Sequence, residues 1–98
     1  MQIFRYSVKR LSSHSGVLRP QEIKLPKNAK VIDAIYQAYD QGFYIFVEDD
    51  PEMIERDRFN VRKFTILSTG EDIPEKAKHI RSIVMPDGSH VFHVYEVA

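Results

Sequence analysis

The chain has 98 residues, with 14 basic and 14 acidic side chains, a net charge of zero and no cysteine. This length predicts a single domain over residues 1–98, and the charge balance lacks the broad positive field of a nucleic-acid binder. Without cysteine, disulfides, thiolate zinc sites and a cysteine nucleophile are excluded. No apolar run approaches about 18 residues and no export signal precedes the first strand, so we expect a cytoplasmic protein with no membrane contact.

Alternating apolar residues predict β-strands along most of the chain. The predicted strands cover residues 2–8, 21–25, 43–47, 59–68, 80–85 and 89–97. The last one, Ser-His-Val-Phe-His-Val-Tyr-Glu-Val, carries apolar side chains on both faces, as does 43–47, which is typical of strands inside a sheet. Serine and glycine predict a loop over residues 9–20, and Pro26, Gly70 and Gly88 lie in predicted turns.

Residues 28–42 fit two structures. Asn28 can cap a helix that has apolar residues at helical spacing and a glycine as its stop, and the residues in isolation slightly favour this helix. Alternatively, residues 29–38 form a strand with Ile32 and Ala34 on the same face.

Three further local features follow from the pattern. The apolar residues change face between the two halves of strand 59–68, which predicts a β-bulge there. Residues 75–79 are predicted to form a short helical turn. The charged residues 48–58 fit either a helical turn opened by Pro51 or a polar excursion between strands.

The candidate ligand-binding residues are Arg62, Lys63, His93 and Tyr95. Arginine offers planar, bidentate recognition of a phosphate or carboxylate, and His93 shares one face of the last strand with Tyr95. The simpler interpretation of the basic pair is ion pairing with acidic neighbours on the sheet surface. For His93 it is a hydrogen bond to a cross-strand neighbour.

No metal site, cofactor or enzymatic activity is predicted. His90 and His93 are three residues apart and so lie on opposite faces of a strand, and the acidic run 48–52 lacks the spacing of a calcium loop. The sequence contains no Gly-x-Ser-x-Gly elbow, phosphate loop or dinucleotide fingerprint. Ser82 and Ser89 have no base at a fixed spacing, which leaves open a triad assembled in space.

Tyr36, Tyr39, Phe43 and Tyr44 crowd one predicted hairpin. A sheet protein of 98 residues cannot bury both faces of two such strands. Part of this aromatic surface is therefore expected to contact a second subunit or a protein partner.

Four segments follow the order of a known family pattern: Ile-Phe-Arg-Tyr at 3–6, Leu-Pro-Lys-Asn-Ala-Lys-Val at 25–31, Thr-Gly at 69–70 and Phe-His-Val-Tyr-Glu at 92–96. With them, nearly the whole chain resembles a family of small, uncharacterised proteins of tailed bacteriophages and prophages. It departs from that pattern in the loop at 9–20 and in a longer acidic segment at 49–58. Because family members carry strand-like sequence at 29–38, the resemblance implies a strand there.

Together these features predict a mainly β domain, either a small antiparallel sandwich or an open barrel of six to seven strands with at most one short helix. The expected function is binding without catalysis. The resemblance implies a phage or prophage accessory protein, which we expect to bind a host protein or interfere with a defence factor through its aromatic hairpin and its acidic loop. The alternative is a homo-oligomer that binds or sequesters a small, nucleotide-like anion.

Overall fold

The computed structural model describes residues 1–12, 18–50 and 58–98, and within them the chain forms strands and turns but no helix. The strands are β1 (Gln2–Val8), β2 (Leu11–Ser12), β3 (Leu18–Arg19), β4 (Gln21–Pro26), β5 (Lys30–Gln37), β6 (Gly42–Asp49), β7 (Phe59–Ser68), β8 (Ala77–Val84) and β9 (Val91–Val97). The central part of the predicted 9–20 loop, and the helical turn considered at Pro51, lie outside the described residues. No helix in the described ranges is long and apolar enough to cross a membrane.

The seven longer strands form two antiparallel sheets, in the orders β1-β6-β5 and β4-β7-β9-β8, while β2 and β3 pair with each other. The prediction of a mainly β, antiparallel fold is confirmed. β6 and β9, the strands with apolar residues on both faces, occupy interior positions as predicted.

The core lies between the two sheets, where alternate residues of each strand meet. Its most buried members, each at most 8% exposed, are Val8, Ile23, Leu25, Ala29, Ala34, Ile45, Val47, Phe64, Ile66 and Val94. Burying a large apolar side chain is worth about 1.5–3 kcal/mol relative to leaving it exposed. If the pairing of a strand shifted by one residue, its buried side chains would point to solvent, so the core fixes the strand register.

Side chains, not backbone pairing, join the two sheets at their edges. On one side β5 packs beside β8, and Arg81 Nη1 lies 3.3 Å from Asp33 Oδ1. On the other side Gln21 of β4 accepts the Lys9 N–H at 2.5 Å and donates to the Ser7 carbonyl at 3.4 Å. Within the described ranges, the fold is therefore a sandwich whose two seams are joined by side-chain contacts and not by a backbone ladder.

The β-bulge predicted in β7 is wrong, because β7 pairs with both β4 and β9 without a register shift. The apolar residues change face for another reason. Arg62 pairs with the buried Ile23 and takes an inward position, whereas Phe59 and Val61 point outward and are exposed.

Two other strands contain an irregularity that the sequence did not indicate. The register shifts just after Val31 in β5 and just after His79 in β8. The first shift takes Ile32 off the face it was predicted to share with Ala34, so that Ile32 is exposed and Ala34 is buried. Bulges of this kind re-aim side chains and are common beside functional sites.

The local preference for a helix over 28–42 is wrong, and the strand implied by the resemblance is confirmed as β5. Antiparallel pairing of β5 with β6 outweighs helix propensities, which differ by only tenths of a kcal/mol among most of these residues. The helical turn predicted at 75–79 is also absent. Lys76 instead occupies a turn at a φ of 58°, and β8 begins at Ala77.

Arg10 and Glu71 tie the segment after β1 to the turn after β7. Arg10 Nη1 donates to the Ile66 carbonyl at 2.9 Å, and its guanidinium donates to the Glu71 carboxylate at 2.6 and 2.8 Å. These bonds from Arg10 are the main reason that the pKa of Glu71 is lowered from its ordinary value.

A pH dependence of stability follows from this pair. Because the pKa of Glu71 is lower in the folded than in the unfolded chain, its contribution is full above the unfolded pKa and is lost as the pH falls through the folded pKa. We expect Glu71→Gln to lower stability at pH 7 and to flatten the loss of stability between about pH 5 and pH 3. Urea denaturation at stepped pH tests this, and an acid profile equal to that of the wild type would contradict it.

Candidate functional site

The four predicted ligand-binding residues do not converge on one site. Arg62 faces inward between the sheets, and its neighbour Lys63 pairs with Val97 on the outer face of the four-stranded sheet. His93 and Tyr95 lie on that outer face and line a pocket that includes neither basic residue.

Arg62 instead lines a cleft of about 320 Å³ at the seam between β5 and β8. The residues that line this β5–β8 cleft are Ala29, Lys30, Val31, Ile32, Arg62, Lys78, His79, Ile80 and Glu96. Both β-bulges lie in its walls, one after Val31 and one after His79. The irregular backbone of the two strands thus meets at a single cleft.

Arg62 is held rigidly at the inner wall of the cleft. Its Nε and Nη2 atoms donate to the two carboxylate oxygens of Glu96 at 2.6 and 2.7 Å, and its Nη1 donates to the Ala29 carbonyl at 2.7 Å. Both side chains of the pair are about a quarter exposed, at 24% and 23%. Two of the five guanidinium N–H groups remain available to a ligand.

The other two cations of the cleft have no such partner. Lys30 on β5 and Lys78 on β8 are exposed, with Glu48 and Glu96 as cross-strand neighbours, and their amino groups form no hydrogen bond or ion pair with any described residue. Among the described residues that line the cleft, Arg62, Lys30 and Lys78 carry three positive charges and Glu96 carries one negative charge, an excess of two positive charges. Its chemistry is that of an anion site.

A chain of hydrogen bonds runs across the outer face beside this cleft. His93 Nδ1 lies 2.7 Å from the Ser82 hydroxyl, its cross-strand neighbour, and His93 Nε2 lies 3.0 Å from the Thr69 hydroxyl. The Ser82 hydroxyl also lies 2.9 Å from His79 Nε2. The predicted hydrogen bond between His93 and a cross-strand neighbour is therefore confirmed.

The predicted aromatic interface divides between the core and the surface. Phe43 forms edge-to-face contacts with Tyr36 and Phe92, with ring centroids 5.0 and 5.5 Å apart. Tyr36 and Phe43 therefore contribute to packing between the sheets. Tyr39, at the tip of the β5–β6 hairpin, is 97% exposed.

Tyr44, the fourth residue of the predicted aromatic interface, points outward from the β1-β6-β5 sheet. The Arg5 guanidinium stacks over its ring at 4.3 Å, and its hydroxyl donates to the Asp40 carboxylate. That hydrogen bond is the main cause of the raised pKa of Tyr44.

Sequence reasoning missed Lys30, Lys78 and Glu96 at the cleft, and His79 and Thr69 beside Ser82. Each is an ordinary surface residue in its own strand or turn. Only the approach of β5 to β8, and the crossing from β7 to β8 over β9, bring them together. No group of three or more metal-ligating side chains occurs among the residues that the structure describes.

Comparison with curated proteins and with solved structures finds no match. A protein-family model does match, and it covers residues 1–98. Its description states no activity, and the resemblance to phage proteins stays a prediction. The chain belongs to the family described as a domain of unknown function (DUF7352).

Proposed function

We propose that this protein acts by binding a small anion in the β5–β8 cleft. One observation carries the proposal: the amino groups of Lys30 and Lys78 have no bonding partner among the described residues, and they lie beside an arginine that is already fixed in place. Like charges gathered around one cleft repel each other. A bound anion would turn that repulsion into attraction, and the preset Arg62 would lose little side-chain freedom on binding it.

The lining of the cleft indicates the class of ligand. Arg62 can direct its two remaining N–H groups at phosphate or carboxylate oxygens, and Lys30 and Lys78 add charge from the facing strands. Ile32 and Ile80 supply apolar contact beside them. A phosphate-bearing metabolite with an apolar or aromatic portion matches this combination, which supports the nucleotide-like alternative predicted from the sequence.

Calorimetric titration with inorganic pyrophosphate tests the binding of an anion, and native mass spectrometry after incubation with a metabolite extract identifies the natural ligand. We expect saturable heat and a discrete added mass that denaturation releases. Two results together would contradict the proposal. One is a titration that does not saturate up to about 1 mM pyrophosphate, which corresponds to a binding free energy weaker than about −4 kcal/mol. The other is a ligand-free mass after incubation with the extract. The phage setting, a host target and a cytoplasmic location stay predictions.

A second candidate function is self-association through the outer face of the β1-β6-β5 sheet. Ile3 is 63% exposed on this face, and Phe46 at its centre pairs with Arg5 on one side and Asp33 on the other. A two-fold axis parallel to β6 would place each Arg5 opposite Asp33 of the second copy and bring the two Phe46 rings together. An isologous dimer needs this kind of self-complementary face.

Light scattering coupled to gel filtration measures this association. We expect the wild type to be dimeric at about 100 μM, a concentration that detects a dissociation constant in the micromolar range, and Phe46→Glu to be monomeric. Val61→Glu, on the exposed outer face of the other sheet, is the matched control and should remain dimeric. A monomeric wild type would rule out this candidate.

A further inference from the structure

The Ser82 hydroxyl lies between two imidazole rings on adjacent strands. Its Oγ atom is 2.7 Å from His93 Nδ1 and 2.9 Å from His79 Nε2, and the ring centroids are 6.4 Å apart. Ser82 itself is exposed, so an electrophile can reach the oxygen from solvent.

The direction of these hydrogen bonds follows from counting donors. The Thr69 hydroxyl lies 3.4 Å from the Val91 carbonyl, which can only accept a hydrogen bond. We assign the Thr69 proton to that carbonyl, so that the Thr69 oxygen accepts from His93 Nε2–H at 3.0 Å. In a neutral imidazole His93 Nδ1 then carries a lone pair, and it accepts a hydrogen bond from the Ser82 hydroxyl. The Ser82 oxygen is left to accept from His79 Nε2–H.

This order gives Ser82 the arrangement of an activated nucleophile. The hydroxyl proton points at a base, His93, and a third group, Thr69, holds that base in the required tautomer. Thr69 is a positioning residue, because it acts through His93.

A pocket of about 200 Å³ adjoins His93 and is lined by Thr69 but not by Ser82, so an acyl chain on Ser82 would reach it past the His93 ring. Its walls include the apolar or aromatic side chains of Leu67, Ile73 and Tyr95. The pocket is small and mainly apolar, which suits a short acyl chain. A nucleophile, a base, a positioning residue and an acyl pocket thus occupy one patch of the outer face.

We propose that Ser82 is a nucleophile that accepts a short apolar acyl group from an activated ester. Ser82 Oγ attacks the carbonyl carbon while its proton moves to His93 Nδ1. The C–O bond to the leaving group then breaks, and the proton passes from His93 to the departing oxygen, which leaves an acyl-serine and a free alcohol or phenol. His79 Nε2–H, freed from Ser82 Oγ as the new bond forms, can donate to the negative oxygen of the tetrahedral intermediate.

The chain contains its own matched control for this activity. Ser89 Oγ lies 2.8 Å from Nδ1 of the adjacent His90, so a second serine–histidine pair exists in the β8–β9 turn. His90 instead stacks on Phe92; it has no hydroxyl positioning its other ring nitrogen among the described residues, and Ser89 has no second imidazole. Any difference in reactivity between Ser82 and Ser89 therefore reports on the surrounding groups.

A fluorophosphonate probe measures that difference within one molecule. Attack forms an Oγ–P bond and expels fluoride, which leaves with the hydroxyl proton as HF, and peptide mass mapping gives the rate at each serine. We expect Ser82 to react about 100-fold faster than Ser89, because a positioned general base contributes at least about that factor. His93→Gln should reduce the Ser82 rate to near that of Ser89, and Thr69→Val should reduce it while Thr69→Ser retains it.

Equal rates at the two serines in the wild type, or a Ser82 rate that is unchanged in His93→Gln, would overturn the proposal. The comparison within the wild type needs no variant to fold. The test does not depend on anion binding in the cleft, since the ratio of labelling at Ser82 and Ser89 is measured with no anion added.

Discussion

Replacing both Lys30 and Lys78 with glutamine is expected to raise the dissociation constant for pyrophosphate about 100-fold. A unit charge about 4 Å from an anion contributes between about 1 and 4 kcal/mol, depending on exposure. Both lysines are exposed, so we take a value near the lower end, about 1.4 kcal/mol or tenfold each. The two effects should be nearly additive, because the lysines lie on different strands and share no bonding partner.

Lys63→Gln is the matched control, since Lys63 is an exposed lysine on the opposite face of the β7 strand that carries Arg62. It changes the net charge of the protein by the same amount as Lys30→Gln or Lys78→Gln alone. It should leave the affinity within about twofold, because a charge beyond a Debye length of roughly 8–10 Å is largely screened. Calorimetry at 150 mM salt makes the comparison. Equal losses in Lys63→Gln and in Lys30→Gln would show that only the net charge matters and would remove the cleft from the account.

Arg62→Met and Glu96→Gln are expected to change stability in the same direction and affinity in opposite directions. Arg62→Met deletes three charge-assisted hydrogen bonds and strands the Glu96 carboxylate. Breaking a fully buried pair costs about 3–5 kcal/mol; because this pair is a quarter exposed, we expect a loss of about 2 kcal/mol. Glu96→Gln keeps a hydrogen-bond acceptor and should cost about 1 kcal/mol.

Affinity separates the structural role of the pair from its role in binding. Arg62→Met removes a cation from the cleft and should weaken pyrophosphate binding. Glu96→Gln removes the only carboxylate among the described residues that line the cleft, which should strengthen binding. Urea denaturation and calorimetry on both variants, with the double variant to give the coupling energy, test this. If both substitutions weaken binding in proportion to the lost stability, Arg62 and Glu96 serve the fold alone.

Local pattern was sufficient to predict most of the strands. Alternation located β1, β4 and β7, and apolar bulk on both faces identified β6 and β9 as interior strands. It failed at β5, where Asn28 and the apolar spacing mimic a helix and only pairing with β6 decides the outcome. It also misread the face change in β7, since an inward arginine with a carboxylate partner looks in the sequence like a break in the strand pattern.

The cleft could not be predicted from the sequence, because the residues that line it lie on strands that are far apart along the chain. Arg62 was predicted to be an anion-binding residue, which stays a prediction, and it was grouped with Lys63, which the two-residue period of a strand places on the other face. Lys30 and Lys78 differ in no visible way from other surface lysines. Their meeting depends on the β5–β8 seam, a tertiary contact between strands that do not pair.

Titration of the wild-type protein with pyrophosphate, followed by ¹H–¹⁵N NMR, tests the central claim most directly. We predict saturable shifts of backbone amides confined to residues 29–32, 62, 78–80 and 96, which line the cleft. Shifts centred on other surfaces, or none up to about 1 mM, would show that the β5–β8 cleft is not an anion site.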